Sequence, residues 1–117
     1  MSEQNKAVLE QANAAVRAGD NEGFLSHCTE DVIWSTVGGE TLYGKEAVRR
    51  WMAEEYVEPP DFTVRSMIAE GDQVAAIGEI TSYDDGGRPV PNSYCDVWRL
   101  REGKLAELNA YVVPLIK

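Results

Sequence analysis

The chain predicts a single-domain α+β protein, with three helices in the first half and an antiparallel meander of long strands in the second. Three observations carry this reading. Apolar residues recur at helical spacing up to the prolines Pro59-Pro60, while the segments beyond are rich in β-branched and aromatic residues. Those later segments are separated by Gly-containing turns, so strands follow strands directly, without the alternating βαβ order of a parallel sheet. With 117 residues the chain can bury one core and is too short for two, so residues 1–117 form one domain with room for one pocket.

Val8, Leu9, Ala12, Ala15 and Val16 share one face of a first helix, capped by Ser2 and ended by Gly19. Asp20 or Asn21 can cap a short second helix through about Cys28, turning Phe24, Leu25 and Cys28 inward. A strand-like run, Asp31 to Thr36, leads to a loop through Gly38-Gly39. Gly44-Lys45-Glu46 opens a third helix with Ala47, Val48, Trp51, Met52 and Tyr56 on a broad apolar face, and Pro59-Pro60 forbids its continuation. Four strands follow: Phe62 to Glu70, Gln73 to Tyr83, Val90 to Arg101 and Lys104 to Ile116. Gly71-Asp72, Asp84 to Gly87 and Glu102-Gly103 are their hairpin turns. Small residues such as Ala75, Ala76 and Gly78 let such a sheet curl around the helices, and curling creates a cavity.

Charge narrows the partners. Twenty acids against eleven Lys and Arg give a net charge of −9, which repels phosphate backbones and anionic lipid, and the basic residues form no stripe. No nucleic acid and no membrane are expected. The amino terminus is polar and lacks a cleavable apolar leader, which points to the cytoplasm. Cys28 and Cys95 lie apart without metal-ligand spacing and read as reduced packing residues; with His27 the single histidine, no metal site is expected. The acidic run Asp84-Asp85-Gly86-Gly87 lacks the spaced ligands of a calcium loop.

The segment from Gly87-Arg88-Pro89 through Asn92-Ser93-Tyr94, Asp96-Val97-Trp98 and Gly103-Lys104 to Tyr111 resembles the paired last strands of SnoaL-like and ketosteroid-isomerase-like proteins. Ala18-Gly19-Asp20, Thr29-Glu30-Asp31-Val32 and Tyr43-Gly44-Lys45-Glu46-Ala47-Val48 match that family's punctuation in the same order. The resemblance covers nearly the whole chain. It implies a cone-shaped curved antiparallel sheet packed on three N-terminal helices, the nuclear-transport-factor-2-like or cystatin-like fold. It also implies a pocket for a small apolar molecule, a homodimer through the outer sheet face, and chemistry without metal or organic cofactor.

Strand alternation places Tyr94, Asp96, Trp98 and Leu100 on one face and Cys95, Val97 and Arg99 on the other. A carboxyl between two rings has its charged form disfavoured, as a general acid or hydrogen-bond donor requires. Asp96 also falls where the resemblance puts the protonated aspartic acid of ketosteroid isomerases. The tyrosine and base of those enzymes would fall at Ala12 and Thr36, neither of which can do that work. Acids that relatives carry on the closing strand are replaced by Ala110 and Val113. His27 is a second catalytic candidate if it meets Asp96, since a carboxylate raises the basicity of an imidazole. Trp34, Tyr43, Trp51, Met52, Tyr94, Trp98, Asn109 and Tyr111 are the candidate substrate-binding residues. The expected function is a cofactor-independent isomerase, dehydratase or cyclase with Asp96 as acid or polarising donor; the alternative is a ligand-binding or assembly protein without catalysis.

Overall fold

A computed structural model describes residues 2–115. Its elements are α1 (Ser2–Arg17), α2 (Asn21–Leu25), β1 (Cys28–Thr36), β2 (Thr41–Tyr43), α3 (Lys45–Glu55), β3 (Phe62–Glu70), β4 (Gln73–Tyr83), β5 (Pro89–Arg101) and β6 (Lys104–Pro114). The strands form one sheet in the order β2-β1-β6-β5-β4-β3. The meander β3 to β6 is antiparallel throughout, as expected, but β1 joins it by a parallel pairing with β6. That one parallel pairing is an addition to the antiparallel meander read from the sequence.

Two boundaries move for local reasons. The Asp20 carboxylate accepts from the Gly23 backbone N–H at 2.9 Å and so caps α2. The helix then stops at Leu25, where the Ser26 hydroxyl bonds back to the Gly23 carbonyl at 2.6 Å. Cys28 is therefore the first residue of β1 and not the last of a helix, although it is buried as expected. Burial pushes its thiol up to about 12, and both cysteines are free. The loop through Gly38-Gly39 is followed by a short edge strand that the sequence reading did not assign, β2, whose Thr41 Oγ1 lies 3.2 Å from Ser35 Oγ on β1. Ile116 lies outside the described residues.

Helices and sheet enclose a core in which Leu9, Ala12 and Val16 of α1 and Val48 and Met52 of α3 meet Val74, Trp98, Leu105 and Leu108 of the sheet. Each large aliphatic side chain so buried contributes about 1.5–3 kcal/mol. Arg49 of α3 bonds both Glu22 of α2, at 2.7 Å, and Glu46, at 2.6 Å, pinning the two helices together.

One bend of the sheet can be traced to its residues. Between Val64 and Ser66 the register shifts, leaving Arg65 as the extra residue of a β-bulge opposite Gly78. A Cβ on Gly78 would collide with the Thr63 carbonyl oxygen. The same oxygen accepts the Tyr94 hydroxyl at 3.0 Å, reaching across from β5. Glycine permits this close approach, and the bend it allows turns the edge of the sheet over the helix layer.

Candidate functional site

The concave side of the sheet opens into a cavity of about 980 Å³, at the upper end of the range for small-molecule sites. Its floor is β5, whose alternation turns Asn92, Tyr94, Asp96 and Trp98 inward. On β6 the inward residues are Leu108, Ala110 and Val112, and on β1 they are Trp34 and Thr36. Helix α3 contributes Trp51 and Glu55, one turn apart, followed by Tyr56 at the helix end.

Five rings run through the site in unbroken contact. Trp34 lies 5.9 Å from Phe24, 6.0 Å from Trp98 and 5.3 Å from Trp51, which in turn meets Tyr56 edge to face at 5.0 Å. Such pairs hold one another's orientation, so this wall is preformed and apolar.

Asp96 is the carboxyl group set among these rings. It makes no salt bridge and no hydrogen bond with the described residues, and burial alone pushes it up to about 7. A group so placed is poised between its acid and base forms at neutral pH. Two tyrosines sense its charge. Burial, then Asp96, raises Tyr94 to about 12, and the same two causes in the same order push Tyr56 well above the usual phenol range. Their roles differ. The Tyr94 hydroxyl is committed to the Thr63 carbonyl, whereas the Tyr56 hydroxyl has no hydrogen-bond partner among the described residues and is free for a ligand.

Of the candidates read from the sequence, Asp96, Trp34, Trp51, Tyr94 and Trp98 line the cavity. Five others do not. His27 sits in the turn between α2 and β1, where its carbonyl accepts the Leu105 N–H at 2.7 Å. Asp96 pairs with Ala110, roughly 17 Å farther along β6 at the usual strand rise, so no His–Asp couple forms. Tyr43 is 72% exposed, because β2 alternates too: Leu42, opposite Trp34, faces in and Tyr43 faces out. Met52 is fully buried in the core beside Val48, one turn before it, while Trp51 and Glu55 face the cavity.

Asn109 and Tyr111 lie on the outer face, because a register shift between Arg99 and Leu100 leaves Ala106 as an extra residue. Unbulged pairing from the hairpin would set Asn109 opposite Asp96; the bulge puts Ala110 there. Tyr56 and Asn92 are two of the polar cavity residues missing from the sequence candidates. Asn92 was legible as the next inward position before Tyr94. Its side-chain amide donates to the Ile80 and Val90 carbonyls and to Ser82 Oγ, each at 3.0 Å, fixing the cavity wall.

A curved six-stranded sheet packed on helices, with a hollow on its concave side, defines the nuclear-transport-factor-2-like class of fold. The SnoaL-like domain model matches residues 9–108, and the chain belongs to the SnoaL-like family. No curated protein matches the chain. Among solved structures, it is similar to a putative ketosteroid isomerase from Kribbella flavida, with 17% identity, TM-score 0.82 and coverage of 99% of this chain and 82% of the other. It is similar to an LEH-like epoxide hydrolase of M. tuberculosis, with 14% identity, TM-score 0.84 and coverage of 95% and 84%. It is also similar to TerC, a structure co-crystallised with polyporic acid, with 23% identity, TM-score 0.80 and coverage of 92% and 89%. At these identities the likeness is one of fold.

Proposed function

We propose that the protein binds a small apolar molecule in its cone and acts on it without a cofactor, as an isomerase, dehydratase or cyclase with Asp96 as acid or polarising donor. The observation that carries this reading is an unpaired carboxyl, raised to about 7, set among aromatic rings in a cavity of about 980 Å³. A neutral carboxylic acid there donates a hydrogen bond to a substrate oxygen, as no ionised aspartate can. Tyr56 is placed to donate a second.

The test is a turnover screen of neutral aromatic ketones and hydroxyketones, followed by ultraviolet absorbance. We expect kcat to fall as pH rises through 7, because the acid form does the work, and Asp96→Asn to lose on the order of 100-fold or more. Turnover that survives this substitution overturns the assignment of Asp96.

A second reading, binding without catalysis, is favoured by the surroundings of Asp96. Directly across on β6 stands Ala110, and beyond it on β1 stands Thr36, so neither of these strand positions sets a carboxylate or imidazole beside Asp96. Ligands that bind without conversion across the screen would establish this reading.

The proposal places the protein in the cytoplasm as a homodimer. No helix among the described residues is long and apolar enough to cross a membrane. The outer sheet face carries Ile68, Tyr111 and Val113, 59%, 47% and 60% exposed, with Ile77 and Val97 between them. A second copy covering this face removes an apolar surface from water. Light scattering should give twice the chain mass at micromolar concentration, and Val113→Glu should halve it; a monomeric wild-type protein overturns the dimer.

A further inference from the structure

The mouth of the cavity differs in charge from its depth. Glu55 at the end of α3, and Glu58 and Asp61 in the loop to β3, line the opening with exposed carboxylates. None of the three is paired with a cation: the salt bridges among the described residues engage other acids. No Lys, Arg or His among the described residues lines the cavity. The Arg17 guanidinium lies over the Phe62 ring, 4.3 Å from its centroid, and its charge reaches Tyr94, but it is not itself a lining residue. A ligand therefore passes three carboxylates that have no ion-pair partner among the described residues and comes to rest beside a fourth acid, Asp96, in a lining whose described residues include no cation.

The loop that carries these charges is held in place. Pro59 and Pro60 stiffen it, and the Asp61 carbonyl accepts the Thr81 N–H at 2.9 Å, fastening it to β4. The backbone that carries Glu58 and Asp61 is thus held at the rim. Field lines are focused where charges of one sign border a low-dielectric cleft, so such a rim acts on entering ions more strongly than scattered surface charge.

We infer that Glu55, Glu58 and Asp61 form an anion filter, so that the molecule the protein takes up is uncharged and enters free, not as a carboxylate, a phosphate ester or a thioester of a phosphate-bearing carrier. This rests on the proposed cavity but not on catalysis. It gives the substrate class two properties: a flat apolar body to lie among Trp34, Trp51 and Tyr56, and neutral oxygen functions for the carboxyl and phenol groups within.

The experiment compares two probes of nearly equal shape, 2-acetylnaphthalene and 2-naphthoate, by calorimetry at pH 8. The wild-type protein should bind the ketone at least roughly 30-fold more tightly than the acid at low ionic strength, and the gap should narrow as salt screens the rim. The triple variant Glu55→Gln, Glu58→Gln, Asp61→Asn should narrow the gap between ketone and acid by roughly tenfold, through tighter binding of the acid. Equal binding of both probes by the wild type, or a gap untouched by the triple variant, overturns the filter while leaving the cavity as a binding site. Failure of both probes to bind at all overturns the filter and the proposed function together.

Discussion

Replacing Asp96 with Asn is expected to stabilise the protein at pH 8 and to leave its stability at pH 4 unchanged. The folded carboxyl titrates at about 7 and the unfolded one near its ordinary 3.8, so between those values the folded state holds a proton that the unfolded state has released. Stability then falls as pH rises, and the loss is complete above 7, where the folded protein must carry a buried unpaired charge. At about 1.4 kcal/mol per pH unit the full interval is worth about 4 kcal/mol, and water entering the cavity brings the measured loss to about 2–4 kcal/mol. Asn never ionises and escapes it.

Glu22 and Asp31, held below the usual carboxylate range chiefly by hydrogen bonds from Arg49 and Arg101, work with the opposite sign. Their contribution is present at neutral pH and lost on acidification, but it is common to both proteins and cancels in the comparison. Denaturant titrations of the pair from pH 4 to 9 should therefore converge at the acid end and separate through the interval. Parallel curves would show that Asp96 titrates as an ordinary surface acid, and the acid role proposed for it would go with them. A substitution that stabilises the fold while abolishing turnover is the mark of a group retained for chemistry.

How far the site could be read from the sequence depended on which physical scale fixed each residue. Tyr94, Asp96 and Trp98 share a face by the two-residue period of a single strand, a local property, and the structure keeps them together on the cavity wall. Asn109 and Tyr111 required the register between two strands. That register turns on one extra residue, Ala106, whose bulge has no distinctive composition; Leu105 and Ala106 are simply two successive buried residues. Tyr43 was misplaced because its three-residue strand is too short to show alternation in a glycine-flanked segment. Met52 and Trp51 are neighbours on an apolar helix face, and only the position of the sheet decides which of them meets the cavity and which meets the core. The meander itself was legible because Gly-containing turns punctuate it, whereas the parallel partner of β6 comes from the far end of the chain and leaves no local signal.

Gly78 was marked in the sequence as a small residue in a long strand, and the structure shows why a methyl group there should be costly. Gly78→Ala drives its new Cβ into the Thr63 carbonyl oxygen, a backbone atom that cannot swing aside, and crowds the Tyr94 hydroxyl 3.0 Å away. The bulge at Arg65 would have to open, and the hydrogen bond from Tyr94 to Thr63 would go with it. We expect a loss of about 2–4 kcal/mol, the cost of overpacking combined with a broken buried hydrogen bond. Tyr94→Phe removes the hydrogen bond alone and should cost about 1 kcal/mol, separating the two contributions. Because Tyr94 stands two residues from Asp96 on the same face, flattening the sheet at Gly78 also widens the cavity beside the carboxyl. Water then reaches Asp96, and its titration should move down from about 7 toward the ordinary carboxylate range. Unfolding measurements joined to a carbon-13 titration of the Asp96 carboxyl would read both effects in one protein. A Gly78→Ala variant as stable as the wild type, with Asp96 still titrating near 7, would mean that the bend in the sheet is set elsewhere and that the hollow does not depend on it.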